Sequence, residues 1–241
     1  MGLTHTSTGA GAADAGLIID RRSPEDRVIA LAGNPNVGKS TVFNALTNLR
    51  QHTGNWPGKT VTNAQGRHTH RGRDYILVDL PGTYSLMAHS AEEEVARDFL
   101  CFGGADGAVV VCDATCLERN LNLVLQTLEI TPRTVVCVNL MDEARSKGIE
   151  VDTAELSRLL GVPVVAAAAG RNEGLEQLME AVADMAAEEE APHTFRPGYP
   201  SAVERALARL EPVLARRLEG RLPARWTALR LLDQDPSLLC A

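Results

Sequence analysis

The chain of 241 residues lacks both a long apolar run and the start of a secretion signal. A helix that crosses a bilayer needs about 20 consecutive, mostly apolar residues, and the sequence contains no such stretch. Its first residues, "MGLTHTSTGAGAADAG", have neither a basic start nor an apolar segment. We therefore expect a chain that neither spans a membrane nor is exported through one.

An excess of basic residues is also lacking. The formal net charge is −7, and acidic runs occur at Glu92 to Glu94 and at Glu188 to Glu190. A protein that neutralises a phosphate backbone needs a broad basic surface. Nucleic acid is therefore not expected as a partner, and the acidic runs are interpreted as solvated helix faces.

The five cysteines are odd in number and show no metal-binding spacing. They are interpreted as reduced thiols, with Cys112 and Cys137 as small core residues because both lie in apolar runs. His68 to His70 ("HTH") and the pair Cys112 and Cys116 have too few partners to predict an iron site.

Short apolar runs alternate with helical segments from Arg27 onward, whereas residues 1–26 are small and polar and are predicted to form a flexible tail. Runs rich in Val and Ile suit parallel strands buried on both faces. The predicted fold is a three-layer α/β sheet, mostly parallel, over residues 27–190. The segment "GRHTHRGRDYILV" indicates an antiparallel hairpin at its edge. The predicted strands are "RVIALAG", "DYILVDL", "DGAVVVCDA", "RTVVCVNL" and "VPVVAAA".

A second, all-helical unit is predicted after the helix of Leu175 to Ala187. Residues 191–200 are rich in proline and indicate a linker, and the helical domain covers 201–241. Pro212 is expected to kink its first helix or to divide it in two. A short second helix is expected to pack on the first through Trp226, Leu229 and Leu232. The first helix carries an apolar stripe of Val203, Leu207, Leu210, Leu214 and Leu218.

The stretch "LAGNPNVGKSTVFNALT" matches G-x-x-x-x-G-K-[ST] between a predicted strand and a predicted helix. Glycines let backbone N–H groups surround phosphates, and the helix N-terminus adds positive potential. Lys39 would reach the β- and γ-phosphates, and Ser40 would offer its hydroxyl to Mg²⁺. The predicted contacts in this loop are Gly33, Asn34, Pro35, Asn36, Val37, Gly38, Lys39, Ser40 and Thr41.

The base is predicted from "VNLMDEA", which places Asn139, Leu140 and Asp142 directly after an apolar strand. A carboxylate can accept two hydrogen bonds from N1–H and the exocyclic amine of guanine, whereas adenine presents an acceptor at N1. The spacing N-x-x-D alone is typical of a helix cap, but its position downstream of a phosphate loop favours GTP or GDP.

Two further loops complete the predicted site. In "DLPGT", Asp79 would hold Mg²⁺ through water, and Gly82, after Pro81, would contact the γ-phosphate. In "GNWPGKTV", Thr60 is the expected second hydroxyl ligand of Mg²⁺, with Gly58 and Lys59 beside the nucleotide. Trp56 is expected either to be exposed for a partner or to pack over the nucleotide.

The chain resembles a known family at these residues. "GNPNVGKSTVFNALT", "QHTGNWPGKTV", "VDLPGTYSL", "DATCLERNLNLVLQTLE" and "VNLMDEARSKGIEVD" together look like the N-terminal G domain of the bacterial ferrous-iron transporter FeoB. "ARWTALRLLDQD" is similar to the end of that family's helical domain. The resemblance implies a Ras-like P-loop GTPase fold and a GTP-hydrolysing regulatory domain.

The resemblance also implies partners and a location. The helical unit would pass the nucleotide state to a transmembrane pore outside this chain, which is interpreted as a truncated or separately made cytoplasmic portion at the inner face of the membrane. A small FeoA-type regulator and self-association are further implied partners.

Two positions bear on catalysis. Ras-like switches commonly place glutamine after D-x-x-G, whereas Thr83 and Tyr84 follow here, so hydrolysis is expected to be slow. By similarity to potassium-activated members of the class, Asn36 would bind K⁺ beside the phosphates, where the ion neutralises charge in the transition state. Asn36 as a simple brace of the loop is the alternative.

Departures from the common motifs predict weak nucleotide retention. Leu140 stands where many relatives have lysine, and Ala169 and Gly170 stand where Ser-Ala is usual. A backbone N–H of this last pair would meet guanine O6. Two rival functions remain open: an Era-like GTPase of ribosome or tRNA maturation, and a nucleotide-binding interaction module with negligible turnover.

Overall fold

The computed structural model describes residues 17, 19–48, 51–56, 59–188 and 192–234. These residues form one seven-stranded sheet in the order β2-β3-β4-β1-β5-β6-β7. The pairs of β1 with β4 and β5, of β5 with β6 and of β6 with β7 are parallel, and β2–β3 and β3–β4 are antiparallel. The strands are β1 Arg27–Gly33, β2 Gln51–Asn55, β3 Thr62–His70, β4 Arg73–Asp79, β5 Gly107–Asp113, β6 Thr134–Asn139 and β7 Val164–Ala166.

Eight α-helices occur among the described residues, and six of them belong to the sheet domain. Strands β1, β5 and β6 are almost completely buried because helices cover both faces of the sheet. The predicted three-layer fold is therefore confirmed. The helices are α1 Lys39–Thr47, α2 Ala91–Phe102, α3 Leu117–Ile130, α4 Met141–Ser146, α5 Thr153–Leu160, α6 Leu175–Ala187, α7 Ser201–Leu218 and α8 Ala224–Leu232.

The core has two parts, one on each face of the sheet. On one face α1 and α6 supply Phe43 and Leu178, and on the other α2 and α3 supply Phe99 and Leu123. Because β1, β4 and β6 run in the same direction, the loops at their carboxyl ends lie at one edge of the sheet.

The predicted edge hairpin is confirmed as β3 and β4, with His70 opposite Arg73. Its two turn residues, Arg71 and Gly72, both have positive φ, of 49° and 74°. Such a turn matches the twist of the two strands. Strand β2 was not predicted, because "QHTGN" carries no apolar alternation that would mark a strand.

The segment predicted as a flexible tail differs from the structure over its described part, 17 and 19–26. Leu17 and Ile19 pack against the core cluster that contains Phe99. Asp26 is buried, and its carboxylate accepts hydrogen bonds from Arg67 Nη1 at 2.7 Å and from the Arg22 N–H at 2.9 Å. The low apolar content of this segment could not predict that Asp26 is held in place, because its partner is the charged residue Arg67 on β3.

The helical unit consists of α7 and α8, which pack through Leu207, Ala228 and Leu229. The predicted division at Pro212 is wrong, since α7 continues through it as one helix. Proline removes a bond to the carbonyl four residues earlier, and that residue, Ala208, is exposed, so water can satisfy its oxygen.

The second helix packs on the first through Leu229, as predicted. Trp226 and Leu232, which were predicted to make the same contact, do not. Trp226 is 3% exposed and lies in the core cluster of the sheet domain, and Leu232 is 41% exposed. Trp226 therefore joins the helical unit to the sheet domain. Within the described part of the chain, none of the helices has the length and apolarity required to cross a membrane.

Candidate nucleotide-binding site

The predicted phosphate loop lies between the end of β1 and the start of α1. Asn36 and Gly38 adopt left-handed φ values of 67° and 78°, which bend the chain around the helix N-terminus. A Cβ at Gly38 would lie 2.4 Å from Asn139 Nδ2, so only glycine fits there. The N-cap residue of α1 is Gly38, which has no side chain that could cap the first amides of the helix. Such a terminus attracts an anion.

Lys39 and Asp79, predicted to serve phosphate and Mg²⁺, lie in direct contact. Lys39 is 8% exposed, and its Nζ donates to Asp79 Oδ1 and, at 2.5 Å, to the Leu80 carbonyl. Burial raises the pKa of the Asp79 carboxyl, since its effect exceeds the opposing attraction of Lys39. The lysine must leave part of this contact to reach phosphate oxygens.

The loop after β4 rests directly on the phosphate loop. The Thr83 N–H donates to the Gly33 carbonyl at 3.2 Å, and a Cβ at Gly82 would lie 3.3 Å from Pro35 Cα. Thr83 is buried, and its hydroxyl donates to the Ser85 carbonyl at 2.7 Å. The position that commonly holds a water-orienting glutamine is thus occupied by a side chain bonded to its own loop.

Asn139 links the phosphate loop to the loop after β7. Its Nδ2 donates to the Val37 carbonyl at 3.0 Å, and its Oδ1 accepts from the Ala169 N–H at 3.0 Å. Asn139 is 1% exposed, so both bonds lie in the interior. Of the predicted pair, Ala169 therefore uses its amide in this brace, and Gly170, which is exposed, remains as the predicted contact for guanine O6.

Asp142, the predicted reader of guanine, is half-buried and has an unexpected partner. Its Oδ2 lies 3.0 Å from Nε of Arg171, an exposed residue that directly follows Gly170. Leu140, between Asn139 and Asp142, adopts a left-handed φ of 61° that turns the chain into α4. Leu140 lies beside the phosphate loop, because a Cβ added at Gly38 would be only 3.7 Å from the Leu140 side chain.

An orphaned amide supports a polar ligand at this loop. Asn34 is 3% exposed, and within the described ranges neither atom of its amide has a hydrogen-bond partner. A buried, unpaired polar group is costly unless something satisfies it. Ser40 and Thr60, which are both exposed, and Asp79 would supply only oxygen ligands, the kind that Mg²⁺ prefers.

The loop of Thr60 is described only in part, since Gly58 and Pro57 lie outside the described residues. The expectation that Trp56 is exposed for a partner is wrong. It is 8% exposed, and its ring packs edge-on against Phe99 of α2, with 5.4 Å between centroids. The apolar surface of the indole is buried in the same core cluster as Phe99.

The residues at the hairpin serve packing in this structure. His68 Nδ1 lies 2.8 Å from the Leu46 carbonyl, and His70 Nε2 lies 2.8 Å from Glu180 Oε2 on α6. Cys112 and Cys137 are buried as predicted. Among the described residues no group of three or more His, Cys, Asp or Glu side chains could hold a metal ion.

Sequence reasoning missed three residues around the site. Arg171 contacts Asp142, and Glu94 and Phe99 of α2 contact the loop of Thr60. Arg171 is detectable in principle, because "AAAAGRNEG" places a cation directly after the loop that should face the base. No sequence pattern marks Glu94 and Phe99 as part of the site, since both lie in an ordinary amphipathic helix.

A phosphate loop after β1, an acidic residue at the end of β4 and N-x-x-D after β6 meet at one edge of a mostly parallel sheet. This combination defines a P-loop α/β domain of the G-protein class. The family model for ferrous iron transport protein B matches residues 27–182, and the model for the FeoB cytosolic helical domain matches 199–240. The chain belongs to the ferrous iron transport protein B family.

Individual relatives agree with this assignment. The Fe(2+) transporter FeoB of Salmonella typhimurium is 38% identical over 216 residues, which cover 86% of this chain and 27% of that protein. The chain thus spans about a quarter of the length of this relative. The cytosolic domain of T. maritima FeoB in its apo form is 37% identical, with a TM-score of 0.82, over 90% of this chain and 86% of that one. The GMPPNP form of the same domain has a TM-score of 0.81, and the match covers 89% of this chain and 86% of that one.

Proposed function

We propose that this chain binds GTP and hydrolyses it slowly, as the regulatory portion of a ferrous-iron transporter. The observation that carries the proposal is the convergence of Lys39, Asp79, Asn139 and Asp142 at one edge of the sheet. Asn139 holds the phosphate loop and the base loop in a fixed relation through two buried hydrogen bonds. The T. maritima relative has been solved in GDP and GMPPNP forms, which supports a guanine nucleotide as the ligand.

Each residue has a distinct role in the proposed reaction. The amides at the start of α1 and the Lys39 ammonium bind the phosphates, and Asp142 accepts from the guanine edge. Ser40, Thr60 and Asp79 would hold Mg²⁺, which neutralises negative charge on the phosphates. The Gly82 N–H would contact the γ-phosphate, and the Gly82 loop, which rests on Pro35, would sense whether that phosphate is present.

Slow turnover follows from Thr83. Its hydroxyl is bonded to the Ser85 carbonyl, so it is not available to orient a water molecule in this conformation. Backbone groups would then position the attacking water. Asn36, exposed on the phosphate loop, would bind K⁺, which supplies positive charge beside the transferred phosphoryl group.

The decisive test is GTP hydrolysis by the purified chain in matched KCl and NaCl buffers. We expect K⁺ to accelerate hydrolysis by at least about tenfold over Na⁺. Two variants separate the amide from the backbone. Asn36→Gly removes the amide and keeps the left-handed φ without strain, whereas Asn36→Ala adds strain. Loss of the K⁺ effect in both variants assigns it to the amide; loss in the alanine variant alone assigns it to loop geometry.

The rival with a specific observation in its favour is a binding module with negligible turnover, because Thr83 is committed to its own loop. Single-turnover hydrolysis with K⁺ and Mg²⁺ present decides between the two: no GDP formed would favour the binding module. The Era-like alternative is set aside by the family assignment.

Coupling to iron uptake is the wider part of the proposal. Trp226 of α8 packs into the core of the sheet domain, and Arg230 Nη1 lies 2.6 Å from Sδ of Met87, which follows the Asp79–Thr83 loop. These contacts support the proposal that the helical unit transmits loop movement to a transmembrane pore, with the chain at the cytoplasmic face. A small FeoA-type regulator and self-association are further proposed partners. Unchanged Fe²⁺ uptake after deletion of this region from the full transporter would contradict the coupling.

A further inference from the structure

Helix α2 contacts the loop of Thr60 at an apolar point. Trp56 and Phe99 are 8% and 4% exposed, and their rings meet edge-on at 5.4 Å between centroids. Edge-on aromatic pairs add to the stabilisation that their burial provides. Trp56, which precedes the loop of Thr60, is thus anchored to Phe99 of α2, although the loop and the helix are far apart in the sequence.

A second contact is ionic and lies one turn further toward the start of α2. Lys59 Nζ is 2.6 Å from Glu94 Oε2, and the side chains are 24% and 22% exposed. Glu94 and Asp98 occupy positions i and i+4 of the helix and face the same side, and Lys59 attracts both carboxylates electrostatically. The partly buried ammonium of Lys59 is therefore held against an acidic face of α2.

Backbone hydrogen bonds join Trp56 to Lys59 and to Val61. The Lys59 N–H donates to the Trp56 carbonyl at 3.0 Å, and the Trp56 N–H donates to the Val61 carbonyl at 2.7 Å. Thr60 lies between Lys59 and the buried Val61, and its own side chain is exposed. The position of its hydroxyl thus depends on residues that α2 holds on either side.

We propose that Glu94 and Phe99 are positioning residues for the reaction, because they fix the backbone that presents the Thr60 hydroxyl to Mg²⁺. This inference rests on the proposed role of Thr60 as a metal ligand. Helix α2 is also the first helix after the loop of Asp79 to Thr83, and Ser90 caps its first turn by accepting from the Glu93 N–H. The same helix is therefore connected to both loops that are proposed to contact the γ-phosphate.

Charge reversal at Glu94 tests the inference, with Glu92 as the matched control. Glu92 lies in the same first turn of α2 and is exposed, so Glu92→Lys makes the same change near the helix dipole without touching Lys59. Two quantities are measured: the hydrogen-exchange rate of the Lys59 amide, by NMR without nucleotide, and the Mg²⁺ concentration that gives half-maximal GTP hydrolysis.

We expect Glu94→Lys to raise both quantities about threefold, since a partly exposed ion pair contributes modestly. Glu92→Lys is expected to leave both close to wild type. Glu94→Gln keeps an acceptor oxygen for the Lys59 ammonium and is expected to give values between those of wild type and Glu94→Lys, a graded response that loss of helix stability would not show.

Unchanged amide exchange in Glu94→Lys, or equal effects of the two reversals, would overturn the inference. Thr60→Ala separates it from the proposed function. If Thr60→Ala shifts the Mg²⁺ requirement and Glu94→Lys does not, the inference fails alone. If Thr60→Ala leaves the Mg²⁺ requirement unchanged, the metal assignment fails and the inference fails with it.

Discussion

Asn139 donates to the Val37 carbonyl and accepts from the Ala169 N–H, each at 3.0 Å, so one buried side chain joins the phosphate loop to the loop that should face the base. The two loops come from opposite ends of the sheet domain's sequence. Gly38 is confined to glycine by the same side chain, because a Cβ there would lie 2.4 Å from Asn139 Nδ2. The geometry of the site thus depends on Asn139 as much as on any residue expected to touch the nucleotide.

Asn139→Ala is expected to destabilise the folded domain even without nucleotide. It leaves a buried carbonyl and a buried N–H unpaired, which lowers the free energy of unfolding by about 2–4 kcal/mol. Chemical denaturation of the nucleotide-free protein measures this. Asp142→Asn is the control, expected to preserve stability but to weaken GDP binding by about a hundredfold. Equal stability of wild type and Asn139→Ala would show that the brace contributes little.

Arg171→Ala is expected to strengthen GDP binding. Arg171 Nε lies 3.0 Å from Asp142 Oδ2, so it occupies an acceptor that guanine requires. The arginine is 64% exposed, and such a pair is worth up to about 1 kcal/mol, which corresponds to a gain in affinity of at most about fivefold. Titration with a fluorescent GDP analogue measures the gain.

Arg145→Ala is the matched control for Arg171, because it removes another exposed arginine that pairs with Glu173 at 3.0 Å. It is expected to leave GDP affinity unchanged. Weaker binding in Arg171→Ala than in Arg145→Ala would mean that the guanidinium contacts the nucleotide rather than competing with it.

Asp26→Asn is expected to change how stability depends on pH. The hydrogen bond from Arg67 lowers the pKa of the Asp26 carboxyl, so the folded state binds protons less readily than the unfolded chain. The stabilisation is complete above the ordinary carboxyl pKa of about 4 and is lost as pH falls through the lower folded value. The variant should be less stable at neutral pH by about 1–3 kcal/mol.

Thermal unfolding of Asp26→Asn and wild type between neutral and acidic pH measures this difference. The two curves are expected to converge as the pH falls below about 4. A constant difference at all pH values would show that the carboxylate charge is not responsible. Glu25→Gln, an exposed neighbour, serves as the control and is expected to follow wild type.

Leu207→Ala is expected to destabilise the helical unit selectively. Leu207 is completely buried in a small cluster with Ala228 and Leu229, and truncation of a buried leucine costs about 2–5 kcal/mol. The helical signal of α7 and α8 should therefore be lost at lower temperature than that of the sheet domain. Val213→Ala, at a position 44% exposed, should have little effect. A single cooperative transition with unchanged midpoint would contradict the prediction.

Local sequence patterns were sufficient for six of the seven strands and for the loops that carry the candidate site. Val-rich runs such as "GAVVVCD" predict strands buried on both faces, and the spacings of the phosphate loop, of "DLPGT" and of N-x-x-D predict which loops converge. These features are local, because backbone conformation, burial and motif spacing depend on neighbouring residues. The antiparallel hairpin of β3 and β4 was accessible for the same reason.

The tertiary structure decided what each side chain contacts. The indole of Trp56 could satisfy its apolar surface in several places, and only the position of α2 selects Phe99. The same holds for Arg67 with Asp26 and for Arg171 with Asp142, since an ion pair between distant residues leaves no periodic signal in the sequence. By itself the sequence determined the fold class and the chemistry of the loops. The packing of helices on the sheet determined which side chains form hydrogen bonds or ion pairs and which polar groups remain unsatisfied, because these contacts depend on distances that no local pattern encodes.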